Sequence, residues 1–308
     1  MSESATPKSD QLAATTTRLK DSGGAGKEND RHLIFRIIWY MVSFLLILAL
    51  VAAFCSTLWE YSTRRYLKGF SDAVVPESSS TEEKVEAIVN WMMNGPARLR
   101  VGPYALPDRD PTDTLNYTAL LQVCGTATNA FLNLANSSGV PVRRLLLVDK
   151  RGMTKHVVAE VLVEGRWIVV DPAFRLVPRG RSGELLTRED LASPDVLALA
   201  TRNLPNYSAG YTYDLTVHIR LARIPLVGRF LWNILDHLFP SWQDSTTISL
   251  LLERRSFAAM VLAIASVMFL IVLRGCLRWY GEHRMGLRPV RIRQQMRRAL
   301  HALLHASQ

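Results

Sequence analysis

Residues 156–172 read HVVAEVLVEGRWIVVDP, two apolar runs separated by Glu164-Gly165. Both runs are rich in Val, and the second adds Trp167 and Ile168, residues that suit a pleated and partly buried surface, and the dipeptide between them supplies the glycine that a two-residue hairpin turn needs. Such a turn fixes the register. Val163 then pairs with Arg166, Val158 faces Asp171 and His156 faces Ala173. His156 and Asp171 come to lie on one face as diagonal neighbours, ~7–8 Å apart between backbones, within reach of a side-chain hydrogen bond. A bulge in either strand would shift the register and separate them.

Working outward from this hairpin, Val142 to Val148 reads as a third strand, joined by a turn at Asp149 to Gly152. Before it, Ala127, Ala130, Phe131 and Leu134 recur at helical spacing, so a helix opens near Cys124 and stops at Ser138-Gly139-Val140-Pro141. Farther upstream, Ser80 and Glu83 have the spacing of a capping box, and Val85, Ile88, Val89 and Met92 form an apolar stripe, predicting a helix over 81–93. Residues 96–116, with four prolines, form a long irregular connection. Downstream, the pattern predicts a helical stretch around Arg188 to Asn203, a strand through Leu215, Val217, Ile219 and Leu221, and an amphipathic helix from Val227 to Leu238. A helix followed by an antiparallel sheet is an α+β core.

Two uncharged apolar runs flank this core, 23 residues from Ile37 to Trp59 and 18 from Ser256 to Leu273. At ~1.5 Å rise per residue each is long enough to cross ~30 Å of hydrocarbon, the second near the minimum. A cleaved signal sequence would have a shorter apolar core, about 7–15 residues, and a small-residue cleavage site that is missing here. The expected organisation is a disordered cytoplasmic tail (1–36), a transmembrane helix (37–59), an extracytoplasmic domain (60–255, core about 81–175), a second transmembrane helix (256–273) and a basic cytoplasmic tail (274–308).

Charge sets the orientation. Within 20 residues of each membrane end, the outer flanks carry five and six Lys or Arg, while the flanks of the central segment carry three and two. The positive-inside bias places both termini in the cytoplasm and the central segment outside it. Of the net charge of +10, the last 35 residues supply +7 and the central segment only +2. Nucleic acid is therefore excluded as a partner of the central segment, and the basic tail is expected to meet anionic lipid.

Cys124 is the sole cysteine between the two spans; Cys55 lies in the first and Cys276 just beyond the second. No disulfide can form within that segment, so an unpaired thiol in an oxidising compartment needs burial or a use. At a helix N-terminus it meets unpaired backbone N–H groups and the positive end of the helix dipole, both of which favour the nucleophilic thiolate. Nucleophile, base and orienting carboxylate together are what acyl transfer requires. No His and Cys cluster has zinc spacing and no glycine loop has phosphate-binding form, so neither a metal nor another cofactor is expected.

At these residues the chain resembles the transglutaminase-like superfamily, in a membrane-anchored bacterial form. The resemblance is carried by Trp91 in its helix, Cys124-Gly125 opening the next, Gly139-Val140-Pro141-Val142-Arg143, His156 to Val161, Gly165-Arg166-Trp167 and Asp171-Pro172, across about 81–175. It implies a papain-like core in which a Cys-bearing helix packs on a sheet bearing His and Asp. It also implies Cys124 as nucleophile, His156 as general base and then acid, and Asp171 as the carboxylate orienting His156. Two positions depart from the usual pattern: Val158 stands where an aromatic is common, and Gln122-Val123 precede the cysteine in place of Gly-Asp. Gln122 and Tyr117 are candidates for a second oxyanion donor, and Glu160, on the His156 face, for support of the site. The expected activity is membrane-tethered hydrolysis or transfer of an amide acyl group, acting on a protein or peptide of the cell envelope. The alternative is a domain that keeps the fold without catalysis and binds a cell-envelope partner in a polymer synthesis or export assembly.

Overall fold

The computed structural model describes residues 9–77, 79–95, 115, 121, 123–219, 233, 235–237, 239 and 242–286, with side chains from residue 31 onward. The chain falls into two compact units, one formed by residues 1–54 with 262–308, the other by residues 55–261.

The first unit holds most of two helices, α1 (Ser9–Val74) and, last in the chain, a helix spanning Arg255–Arg284. Both are long and apolar enough to cross a membrane, and their most apolar stretches are almost wholly unburied. Phe44, Ile47, Phe54, Leu262, Phe269 and Val272 all face outward. Among these side chains Arg274 stacks over Trp39, its guanidinium carbon 4.8 Å from the ring centroid. Two expectations change. The backbone is helical from Ser9, where the composition suggests a disordered tail, because a helix nucleated by the apolar run can extend without a second nucleation cost. At its other end α1 continues 15 residues past Trp59, since Glu60, Arg64 and Lys68 end the apolar run but are good helix formers and do not end the helix.

The second unit is built on a four-stranded antiparallel sheet in the order β3-β2-β1-β4, with β1 Val142–Val148, β2 Thr154–Val163, β3 Arg166–Val170 and β4 Thr216–Val217. Helix α2 (Thr81–Asn94) starts at the full Ser80 and Glu83 capping box, and α3 (Cys124–Ser137) packs with it on one face of the sheet. There Ala159, Val161, Ile168 and Val170 meet Phe131, Leu134, Ile88 and Met92. On the other face Leu145, Leu147, Val158 and Val169 meet Leu186, Leu191 and Tyr213. Burial on both faces explains why β2 reads as a near-continuous apolar run instead of alternating.

The predicted 188–203 helix is broken into α4 (Arg188–Leu191) and α5 (Pro194–Thr201), because Pro194 starts a new helix after Ser193. Of the predicted strand over 215–221, Thr216 and Val217 face Leu147 and Leu146 at the sheet edge and Leu215 O accepts from Val148 N–H at 3.0 Å, while residues 220 and 221 lie outside the described residues. Helix α6 (Thr246–Glu253) then leads into α7, the helix Arg255–Arg284. The irregular connection expected over 96–116 and the amphipathic helix expected over 227–238 lie largely outside the described residues.

Candidate active site

The β2–β3 hairpin has the register its turn dictates. Val163 pairs with Arg166 and Ala159 with Val170, and Glu164 and Gly165 both take positive φ, 47° and 79°, as a type I′ turn requires. The ladder stops there. His156 has no Ala173 opposite it, because the chain turns at Pro172 and Asp171 forms a backbone bridge to Leu176 (2.8 and 2.9 Å). On the other side of β2 a bulge falls at Leu147/Val148, so that Leu147 faces His156 and Val148 faces Thr154, leaving Lys155 without an opposite residue. Bulges re-aim side chains, and this one immediately precedes His156.

The two side chains meet. Nε2 of His156 lies 2.7 Å from Oδ2 of Asp171, with the histidine 1 % exposed and the aspartate fully buried. Asp171 Oδ1 accepts from the backbone N–H of Phe174 at 3.3 Å. With Nε2–H donating to the carboxylate, the lone pair of the neutral ring is on Nδ1, which makes no hydrogen bond of good geometry. The ring's other electrostatic neighbour is the Cys124 thiol. The His156 ring holds that thiol below its ordinary pKa, and the N–H groups of Val157 and Gly125 add to the effect against partial burial. Burial pushes His156 towards its neutral form, but hydrogen bonds and charge from Asp171 and Cys124 prevail, and its pKa is pushed up to about 9. Both shifts favour thiolate paired with imidazolium.

The location of Cys124 follows from α3. Val123 caps the helix with no side-chain hydrogen bond, and the first intrahelical bond runs from Ala127 N–H to Val123 O at 2.9 Å. Backbone N–H groups of the first turn are thus presented at the helix mouth beside the sulfur. Among them Gly125 N–H points at it. Thr128 Oγ1 donates to Val157 O at 3.0 Å, binding α3 to the strand that carries His156.

Of the other predicted positions, Gln122 and Tyr117 lie outside the described residues. Glu160 is on the His156 face, as alternation requires, but serves a separate buried ionic cluster and does not touch the three residues. It accepts from Arg143 Nε at 2.6 Å and pairs with His218 Nε2 at 2.7 Å; Arg143 also reaches Asp244 at 2.9 Å. Burial would raise the Glu160 carboxyl, yet His218 and Arg143 outweigh it and hold it low. Two positions along a pleated face separate it from His156 by ~13 Å, which is why a shared face did not become a contact.

Sequence reasoning missed the aromatic side chains around the imidazole. Tyr211 stacks on His156 at 4.3 Å, and Phe174 and Tyr207 meet it edge-on at 5.7 and 6.2 Å. Tyr207 also stands beside Asp171 and Tyr213, and burial with the Asp171 charge holds its phenol well above its ordinary range. Three tyrosines within seven residues, 207, 211 and 213, in an otherwise polar and glycine-containing stretch were the available signal.

Residues 68–172 match the family model of the transglutaminase-like superfamily, which spans Cys124, His156 and Asp171. No curated protein and no solved structure matches the chain. A Cys-bearing helix on an antiparallel sheet that carries a hydrogen-bonded His and Asp, within the matched residues, identifies this part of the chain as a transglutaminase-like domain.

Proposed function

We propose that the protein is a membrane-tethered thiol enzyme that cleaves or transfers an amide acyl group outside the cytoplasm. The observation that carries this reading is the 2.7 Å His156–Asp171 bond, which leaves Nδ1 free towards a pKa-lowered thiol at a helix N-terminus. In the first half-reaction the Cys124 thiolate adds to the amide carbonyl carbon, and the carbonyl electrons move to oxygen. Backbone N–H groups at the mouth of α3 are placed to hold that oxyanion. Collapse of the intermediate breaks the C–N bond, and His156 gives its Nδ1 proton to the leaving amine. A thioester on Cys124 remains. In the second half-reaction His156 takes a proton from water or an incoming amine as it attacks, and the thiolate leaves as a carboxylic acid or a new amide forms. Asp171 keeps the ring in the productive tautomer throughout and stabilises the imidazolium.

Substrates in the cell envelope suit a charge bias that favours an extracytoplasmic domain, and hydrolysis is the simpler second step there. Iodoacetamide alkylation of the full-length protein in detergent tests the reading, with Cys124 followed through its own peptide so that Cys55 and Cys276 do not contribute. Cys124 should react well below pH 8, His156→Ala should slow it, and Cys124→Ala should change the peptides of the cell envelope. Alkylation typical of an ordinary thiol, together with an unchanged envelope in Cys124→Ala, would sink the proposal.

A further inference from the structure

The sheet face that carries His156 is lined with aliphatic side chains at Leu145, Leu147, Val158 and Val169. Rings appear on it where the imidazole is. Tyr211 lies 8° from parallel with the His156 ring at 4.3 Å, while Phe174 and Tyr207 approach at 66° and 84° and touch each other at 4.8 Å. Simple core filling would be served equally well by more leucine. A flat ring over an imidazole does something leucine cannot: its negative π face stabilises the cationic form and its plane restricts rotation about the histidine side-chain bonds.

The geometry points to Tyr211 as a positioning residue, whose ring face holds the His156 imidazole in plane, with Nδ1 turned to Cys124, and favours the imidazolium. This inference rests on the proposed roles of Cys124, His156 and Asp171. The ionisable groups facing the imidazole are Asp171 from the end of β3, Cys124 from α3, and the phenols of Tyr207 and Tyr211 from the segment before β4. Phe174, from the turn after Asp171, faces it without charge. Tyr207, next to the Asp171 carboxylate, ties the same segment to the other end of the hydrogen bond.

The test is the pH profile of Cys124 alkylation in the full-length protein, again followed by peptide mass. Tyr211→Leu keeps an apolar cover but removes the π face, so the midpoint for thiolate formation should rise by about half a unit to one unit, roughly three- to tenfold slower alkylation on the rising limb. Tyr211→Phe keeps the face and should retain the wild-type midpoint. If the leucine variant does not accumulate as folded protein, Tyr211→Met poses the same question. An unmoved midpoint in Tyr211→Leu or Tyr211→Met overturns the inference, as does a Tyr211→Phe shift as large as that of leucine. An ordinary thiol profile in the wild type would overturn the catalytic reading and this inference with it. A lowered wild-type midpoint left in place by the aliphatic variants would overturn this inference alone.

Discussion

His156 is 1 % exposed, a setting in which burial alone drives an imidazole to its neutral form, yet Asp171 and Cys124 raise its pKa to about 9. Because the folded pKa lies above the ordinary 6.5, the stability His156 contributes is fully present below about pH 6.5 and is lost as pH rises through about 9. Cys124 has the opposite sign: its lowered folded pKa contributes stability above the ordinary 9.0, lost as pH falls through the folded value. The ion pair occupies the window between the lowered thiol pKa and about 9. Acylation should therefore fall off on the alkaline side near pH 9, where His156 no longer has a proton for the leaving amine. Asp171→Asn removes the charge that holds this proton, so the alkaline limb should move to lower pH. The rate should drop on the order of 10²- to 10⁴-fold, as for a misoriented imidazole. A pH–rate profile of acylation measures both; an alkaline limb that Asp171→Asn leaves in place would remove Asp171 from its role.

Between elements, the polar interior of the 55–261 unit is held by an ionic network that no local pattern announces. Glu60, early in the polar continuation of α1, is 2 % exposed and accepts from Arg254 at 3.0 Å and Ser256 at 2.6 Å. Arg254, between α6 and α7, donates in turn to Asn133 Oδ1 of α3 at 2.8 Å. Glu253 accepts from Asn129, one turn nearer Cys124, at 2.9 Å, and pairs with Arg144 of β1. Buried charges are expensive unless paired, so Glu60→Ala should destabilise by about 3–5 kcal/mol by stranding Arg254. Glu60→Ala with Arg254→Met should recover most of that loss. Unfolding in denaturant at fixed detergent compares the two, and a double variant as unstable as the single one would show that the pair is not what holds these elements. The contrast with the hairpin explains what could be read in advance. A two-residue turn determines the register of β2 and β3, so His156 and Asp171 could be brought together from local rules, and helical spacing puts Cys124 at the start of α3, while its place beside them follows from the family resemblance. Tyr211, Arg254 and the His218 partner of Glu160 lie outside the periodic interiors of the helices and strands, and their contacts are set by tertiary packing. The same limit applies to α1, where the change from apolar to polar sequence suggests a helix end and the helix continues to Val74.

For the whole molecule, the proposed chemistry turns on which side of a membrane the two apolar helices would leave the domain. The two apolar helices are each uncharged through their most apolar stretch, and the basic residues are concentrated beyond their outer ends, five and six against three and two on the inner flanks. Lys and Arg are retained on the cytoplasmic side during insertion, so the bias favours both termini inside. The +7 of the last 35 residues would strengthen the second proposed span in particular, whose apolar run is the shorter at 18 residues. A phosphatase reporter that works only after export should stay silent when fused after Gln308, and become active when inserted in the exposed Glu164-Gly165 turn of the domain. The same fusions with a reporter that folds only in the cytoplasm should give the reverse pattern. Replacing Arg274, Arg278 and Arg284 by Gln should make the C-terminal fusion partly exported, because those three lie closest to the end of the second apolar run. An active phosphatase after Gln308 in the unaltered protein would overturn the two-span topology and put the Cys124 thiol in a reducing compartment, where its lack of a disulfide partner would no longer ask for a use.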